Sequence, residues 1–477
     1  MNYFNLRRLV LVALFVQTSN AHEANALLQR AIDAAGIANA KGRILHFNAV
    51  DALMQTAQSD RMYPPYYPMF VNRETWVDID HEVERIQSSA TFFGSGPSKP
   101  TSTIVGKSQA VFVRDTLLIP IPGTKDMLNV WNVLLDWSRS PDLSMGKQEV
   151  YREYLRIVIR RKGRFGEERL FLDPKSGLPV KYEFTEPHFL WGQVKVEYLY
   201  TTWITVEKSM IPSGVVKIVD GEPEAYRSVG ESKFIAPESA PSLQIPETTA
   251  QPPAPSQPGV LASPQPDSIR VSDNLILTRN RWYQEAISLI DGTLYIFDAT
   301  LGENRGKQDS AWIAKALPGK HPIVVVVTDL AWPHIAGVRY WVSRGATVVS
   351  HRMSEPFLKK VVDRRWTLNP DELERNRKKS KFKFLAVDSK HSMANGKVQL
   401  YAIDGIGSEG ALIAYLPEEK FLWAGDYIQN VTAPSAYAKE VRAAVERVGI
   451  KPGRVAAQHI RITNWNVIET LFKGANE

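Results

Sequence analysis

VVVVTDLAWPHIAGVRYWV, Val324 to Val342, begins as an unbroken apolar run and turns sharply polar at Thr328. A run of this kind reads as a strand buried on both faces of a sheet. The turn DLAWPH then brings one aspartate, one histidine, a tryptophan and a proline together before a helical stretch resumes at Ile335. Such a junction has three readings. It is the metal-binding loop of a hydrolase, a loop of that kind that has lost its metal, or an ordinary strand-to-helix turn.

The surroundings narrow the choice. From about residue 269 to 477, strand-like runs (NLILTR, AISLIDG, LYIFDA, GATVVSH, FKFLAV, VQLYAID, ALIAYLP, KFLWAGD, RVAAQ) alternate with helical ones at Asp309–Leu317, His334–Arg344, Pro356–Val362 and Ala436–Val448. That alternation predicts two sheets covered by helices, an α/β fold with an αββα sandwich arrangement. The tracts IVVVVTDLAWPHIAGVRYWVSRGATVVSH (Ile323–His351), EGALIAYLPEEKFLWAGDYI (Glu409–Ile428) and VAAQHIRITNW (Val455–Trp465) resemble the metallo-β-lactamase fold superfamily over nearly all of this half.

The resemblance implies two metal ions held by a His-x-His-x-Asp-His loop, a later histidine, the aspartate of a Gly-Asp strand end, and a C-terminal histidine. On this sequence the final loop histidine is His334, the strand-end aspartate is Asp426 and the C-terminal histidine is His459. The other positions depart from the pattern. Asp329 and Ala331 stand for the first two histidines, Pro333 for the loop aspartate, Gly407 for the later histidine, and Ile460 for the glycine after the last one. One metal site therefore loses two nitrogen ligands, while the other keeps His334, Asp426 and His459. Two histidines and a carboxylate suffice for one divalent ion, with zinc the first expectation. Pro333 supplies neither an ionisable group nor an N–H, so a hydrolase needs another base. Asp329 and Glu409 are the catalytic candidates by position, and Asp329 is also a candidate oxygen ligand. Each residue also has a plain reading: His334 as a bonded turn residue, Asp426 as a strand-end cap, His459 as a packed polar side chain. His321, His351 and His391 lack ligand spacing and read as surface residues. Trp332 is a candidate to fill the space of the lost metal.

The other half differs in kind. After a helical pattern at Ala26–Ala35, residues up to 235 read as successive strands, several alternating apolar with polar as in VKVEYLY (Val194–Tyr200). This predicts a mainly antiparallel β domain with one wet face. The order FLDPKSGLPVKYEF … VKVEYLYTTWITVEKSMIPSGVVKIVDGE (Phe171–Glu222) resembles periplasmic lipoprotein-carrier domains of the LolA/LolB-like type. The resemblance implies a half-barrel folded over a helix, able to hold a lipid or hydrophobic peptide, with no catalytic residue. The aromatic, proline-rich MYPPYYPMF (Met62–Phe70) reads as a cover over the sheet or a pocket rim. Between the halves, Ala236–Asp267 is rich in Pro, Ser, Gln and Ala, with no aromatic residue from Phe234 to Trp282. It reads as an extended tether. The expected organisation is 1–21 signal, 22–235 carrier-like domain, 236–268 linker and 269–477 metallo-β-lactamase-like domain.

MNYFNLRR, the apolar Leu9–Val16, and small residues at Ser19 and Ala21 form a secretory signal pattern ending before His22. The absence of cysteine excludes a lipoprotein anchor, disulfides and thiolate metal sites. A periplasmic or secreted address follows, with no transmembrane segment after cleavage. A net charge of +7 without basic-helix or finger spacing does not point to nucleic acid. The basic run Arg375–Lys383 reads as a solvated face. A small-molecule or lipid ligand is the partner expected; the oligomeric state is not legible. Three functions stay open: a mononuclear metallohydrolase, a metal-free binding scaffold of the same fold, or a carrier acting through the first half. Cell fractionation and N-terminal sequencing test the address: the mature chain is expected outside the cytoplasm, starting at His22, and a cytoplasmic chain starting at Met1 would overturn it.

Overall fold

The computed structural model describes residues 20–56, 66–91, 98–107, 110–114, 117–121, 126–247, 259–261, 263–280, 283–405, 408–433 and 435–473. The chain divides into two compact units. The first comprises residues up to 54, 68–186 and 194–255; the second comprises 55–67, 187–193 and 256–477. Two short segments of the first half thus group with the second unit, which linear reading does not foresee. Residues 1–19 of the expected signal and 248–258 of the expected linker lie outside the described residues. A helix runs over 20–35, so the expected cleavage point before His22 falls in its first turn.

The first unit is built on a fourteen-stranded sheet. Its first strand, Ile44–Met54, pairs antiparallel both with Pro68–Asp78 and with the last strand, Glu222–Ile235. The sequence pattern does not announce the helix Val130–Trp137, because VWNVLLDW is apolar almost all round. It is a helix because it is buried almost all round: Val130, Trp131, Leu134 and Trp137 are each 0% exposed. Its N-cap Asn129 accepts from Trp131 N. An ion network joins it beneath the sheet. Arg227 donates twice to Asp51, at 2.7 and 2.8 Å, and once to Asp126 at 2.7 Å. A cavity beside Glu84, Trp131 and Asn132 holds only ≈ 10 Å³. A concavity of ≈ 430 Å³ is lined by Ala49, Val50 and Pro100 together with polar groups such as Asn48, Asn72 and Ser228.

The second unit holds two sheets. The seven-stranded sheet runs Asp267–Arg270, Leu275–Arg279, Gln284–Ile290, Thr293–Phe297, Ile323–Val326, Thr347–His351 and Lys383–Val387, the last three joining in parallel. Asp267 and Ser268 already pair with Arg279 and Thr278, so they belong to this sheet and not to the linker. The six-stranded sheet runs Lys390–Met393, Val398–Ala402, Leu412–Leu416, Phe421–Trp423, Arg454–Ala456 and Thr463–Asn464. Parallel neighbours need a crossover. Helices Glu303–Ala316, Val338–Ser343, Glu355–Asp363 and Ala436–Val448 lie in those crossovers. Leu277, Phe297, Val326 and Val349 of one sheet share a single buried cluster with Leu400, Ala414, Phe421 and Trp423 of the other.

Helix Glu303–Ala316 begins at Glu303 rather than Asp309 because tertiary contacts bury its polar first turns. Arg305 and Asp309, both 0% exposed, pair at 2.7 Å. A Cβ on Gly306 would sit 2.2 Å from the Tyr340 ring, so this glycine sets how closely the helix approaches. Glycine to alanine inside a helix normally stabilises by about 1 kcal/mol. Here the sign reverses: Gly306→Ala is expected to destabilise by roughly 1–3 kcal/mol through overpacking, read as a lower urea midpoint at unchanged slope.

Candidate metal centre

The opening stretch places the first ligand. Strand Ile323–Val326 is buried from Val325 onward, and burial continues through Leu330. Thr328 and Asp329 are therefore polar groups delivered into an apolar interior, and each needs partners there. Asp329, 2% exposed, uses both oxygens. Its Oδ1 accepts from Ala331 N at 2.9 Å and from His334 Nδ1 at 2.7 Å. Its Oδ2 accepts from Gln458 Nε2 at 3.3 Å. The Ala331 bond turns the chain into the short helix Trp332–Ile335, with proline in its first turn. Leu301 N and Ala299 N donate to the carbonyls of Pro333 and His334 and pin that helix. A carboxylate only accepts, so His334 carries its proton on Nδ1 and presents Nε2 on the other side.

The second ligand comes from the six-stranded sheet. Gly425 has φ +56°, and a Cβ there would meet Thr328 Oγ1 at 2.4 Å. That turn delivers Asp426, 7% exposed. Gly425 O accepts Gln458 N at 2.9 Å, which aligns the chain reaching His459. His459 Nε2 lies 2.9 Å from Asp426 Oδ1, with its side chain 29% exposed. The Tyr283 ring packs 5.3 Å from the His334 ring and 5.2 Å from that of His459.

His334, Asp426 and His459 thus offer ligand atoms that all lie within 4.8 Å of one another. Neighbouring ligands of one tetrahedral zinc stand about 3.4 Å apart, so closure requires movement of an ångström or so at the widest pair. The donor set of two imidazoles and one carboxylate fits a divalent ion. So does the charge. Burial works against a cation at His334, but Asp329 and then Asp426 outweigh it and push its pKa up to about 9. The pocket therefore draws in positive charge. Burial, reinforced by Asp426 and Asp329, pushes the Tyr283 hydroxyl up to about 12, so it stays neutral.

A layer behind the ligands was not legible. Asp298, 1% exposed, accepts from Thr328 N and Oγ1 at 2.8 Å each, and from Trp423 Nε1 and Gln458 Nε2 at 2.9 Å each. Burial and then Asp329 push its carboxyl up to about 6. The available signals were an aspartate closing the apolar strand LYIF and a lone amide in VAAQ.

The remaining expectations separate. Asp329 stands outside the three-residue group and is turned to Ala331 N, His334 Nδ1 and Gln458 Nε2. Glu409 is exposed, stands outside the three-residue group, and its charge acts on His351. Trp332 does not fill the space of a lost metal. It packs on Tyr66, His188, Phe189 and Trp191, and donates from Nε1 to Tyr66 Oη at 2.8 Å. Of Met62–Phe70, residues 62–65 lie outside the described residues, as does Gly407. His321, His351 and His391 are all partly exposed. In the basic run, Arg375 pairs with Glu303 and Arg377 with Glu374, so part of that face is braced.

No protein-family model and no curated protein matches the chain. Among solved structures it is similar to DIM-1 metallo-beta-lactamase, at 14% identity and TM-score 0.35, covering 45% of this chain and 98% of that one. It is also similar to a metallo-beta-lactamase from Pontibacter korlensis, at 16% identity and TM-score 0.33, covering 45% and 100%. A third, from Erythrobacter litoralis, gives 15% identity and TM-score 0.35, covering 46% and 100%. Likeness at this level says nothing of substrate, and the case for a metal rests on the side chains described above.

The imidazolium of His334 makes stability depend on pH in chelator-treated protein. Its folded value lies above the ordinary 6.5, so its contribution is full below that pH and is lost as pH rises through 9. Relative to His334→Gln, the wild type is expected to lose roughly 3 kcal/mol between pH 6.5 and 9, measured by denaturant unfolding. Asp329→Asn should shrink that difference; an undiminished difference would show that Asp329 does not hold the cation.

Proposed function

We propose that the second unit is a metallo-β-lactamase-fold domain, with an αββα arrangement, that binds one divalent ion through His334, Asp426 and His459 and acts as a mononuclear hydrolase. The observation that carries this reading is the convergence of those three ligand atoms within 4.8 Å, with His334 already oriented by Asp329. Zinc suits the donor set. Bound there, a divalent ion supplies Lewis acidity and lowers the pKa of water.

The chain's own residues do the remainder. Asp329 fixes the tautomer and ring angle of His334, the outer-layer role that carboxylates commonly play behind imidazole ligands. Gln458 donates to Asp329 in turn, and is itself held by Asp298. Tyr283 covers both imidazoles with a neutral ring, which limits water on that side. His459, part-exposed, marks the open side where a substrate would enter.

A second reading is favoured by one observation. Neither expected base belongs to the three-residue group: Asp329 is turned to His334 Nδ1, and Glu409 stands by His351. A metal-free binding scaffold with the same fold fits that equally well. The carrier reading would draw on the concavity of the first unit, whose lining mixes Ala49, Val50 and Pro100 with polar side chains. Among the described residues no helix is long and apolar enough to cross a membrane. Export by residues 1–21, the 22–235 domain and the 236–268 linker, shortened at Asp267, complete the proposal.

Elemental analysis of protein purified without chelator tests it. About one equivalent of zinc, manganese or iron is expected, falling by at least about tenfold in His334→Ala, since loss of even an outer-layer partner costs 10–100-fold in affinity. A wild type with under a tenth of an equivalent would overturn the metal site and leave the scaffold.

A further inference from the structure

Beside His459 stand two arginines that the proposed chemistry does not use. Arg279 ends the strand Leu275–Arg279, four residues before Tyr283. Its Nη2 donates to the His459 carbonyl oxygen at 3.4 Å, a long bond. Its Nη1 is shielded from solvent and meets no acceptor. Arg461, of the same sign and exposed, follows two residues beyond His459, whose carbonyl Arg279 holds. Among the described residues neither guanidinium has a carboxylate partner.

The fully buried arginines differ. The buried Arg227, Arg305 and Arg339 each meet a carboxylate, at 2.7, 2.7 and 2.6 Å. A sheltered donor without an acceptor is costly. A fold that keeps both Arg279 and Arg461 next to a candidate ligand has left a place for an anion. Guanidinium is suited to it, because its planar fork matches two oxygens of a phosphate or carboxylate at once.

We propose that Arg279 and Arg461 form an oxyanion-recognition pair at the edge of the metal centre, and that the substrate carries a phosphate or carboxylate group there. The substrate role rests on the hydrolase reading; the binding of an oxyanion does not. Arg279 gives the anchored, half-sheltered donor next to His459. Arg461 gives the exposed second charge that captures the anion from solution.

The test uses the full chain after chelator treatment, so that no metal can hold the anion itself. Inorganic phosphate and acetate are titrated separately by calorimetry at constant ionic strength. Saturable binding of at least one is expected, and which one binds assigns the phosphate or the carboxylate class. Arg461→Gln, an exposed change that cannot disturb the core, should weaken that binding by about tenfold or more. Arg279→Gln should do the same with an unchanged circular-dichroism spectrum, and Arg279→Lys should fall between, keeping the charge without the fork. Failure of the wild type to bind either anion, or unchanged affinity in Arg461→Gln, overturns the pair. Zinc content of the untreated protein is measured in parallel. Zinc without anion binding would sink the pair alone, and anion binding without zinc would sink the hydrolase alone.

Discussion

A buried carboxylate just past the end of a strand governs the arrangement around it. Asp329 cannot be hydrated where it lies, so each oxygen needs a donor from the protein. The donors it collects come from three places in the chain: its own turn at Ala331, His334 in the short helix Trp332–Ile335, and Gln458 next to the last candidate ligand. One side chain thereby ties together the loop and the C-terminal strand end that carry the two histidines. Asp298 repeats the logic one layer deeper, sharing Gln458 and fastening Thr328.

The backbone between these groups is equally constrained. Gly425 can turn into Asp426 only because it lacks a Cβ that would strike Thr328, and Gly306 lets its helix settle against Tyr340. Close approach of backbone to side chain is thus what sets the ligand positions. In the metal-free state this leaves an imidazolium at His334 between two acids, a cation held where another cation is proposed to bind. Metal binding at this site would release that proton, so affinity should rise with pH until the metal itself is hydrolysed.

Much of the second unit was legible because period and length speak clearly there. The apolar run Val324–Val327, the helix spacing from Val338, and the Gly-Asp strand end all fall where the pattern placed them, and helix Ala436–Val448 matches end to end. The first unit was legible as strands but not as a container. Its helix Val130–Trp137 has no polar face to reveal a period, and its interior charges at Asp51, Asp126 and Arg227 are scattered over more than 170 residues of sequence. At the candidate site, the family resemblance pointed to the three ligands, yet Asp298, Gln458, Tyr283 and Arg279 carried no spacing to announce them.

Local chemistry in the chain was enough to predict the sheet and helix order of the second unit, and the resemblance of its motifs marked His334, Asp426 and His459 as a set worth testing. Spacing along the chain could not say what Asp329 does, where Trp332 turns, or that Glu409 stands by another histidine. Those outcomes depend on which donors a buried acceptor meets, and the donors come from strands and turns far apart in sequence. Burial makes each missing partner costly, so the folded chain settles the roles one hydrogen bond at a time.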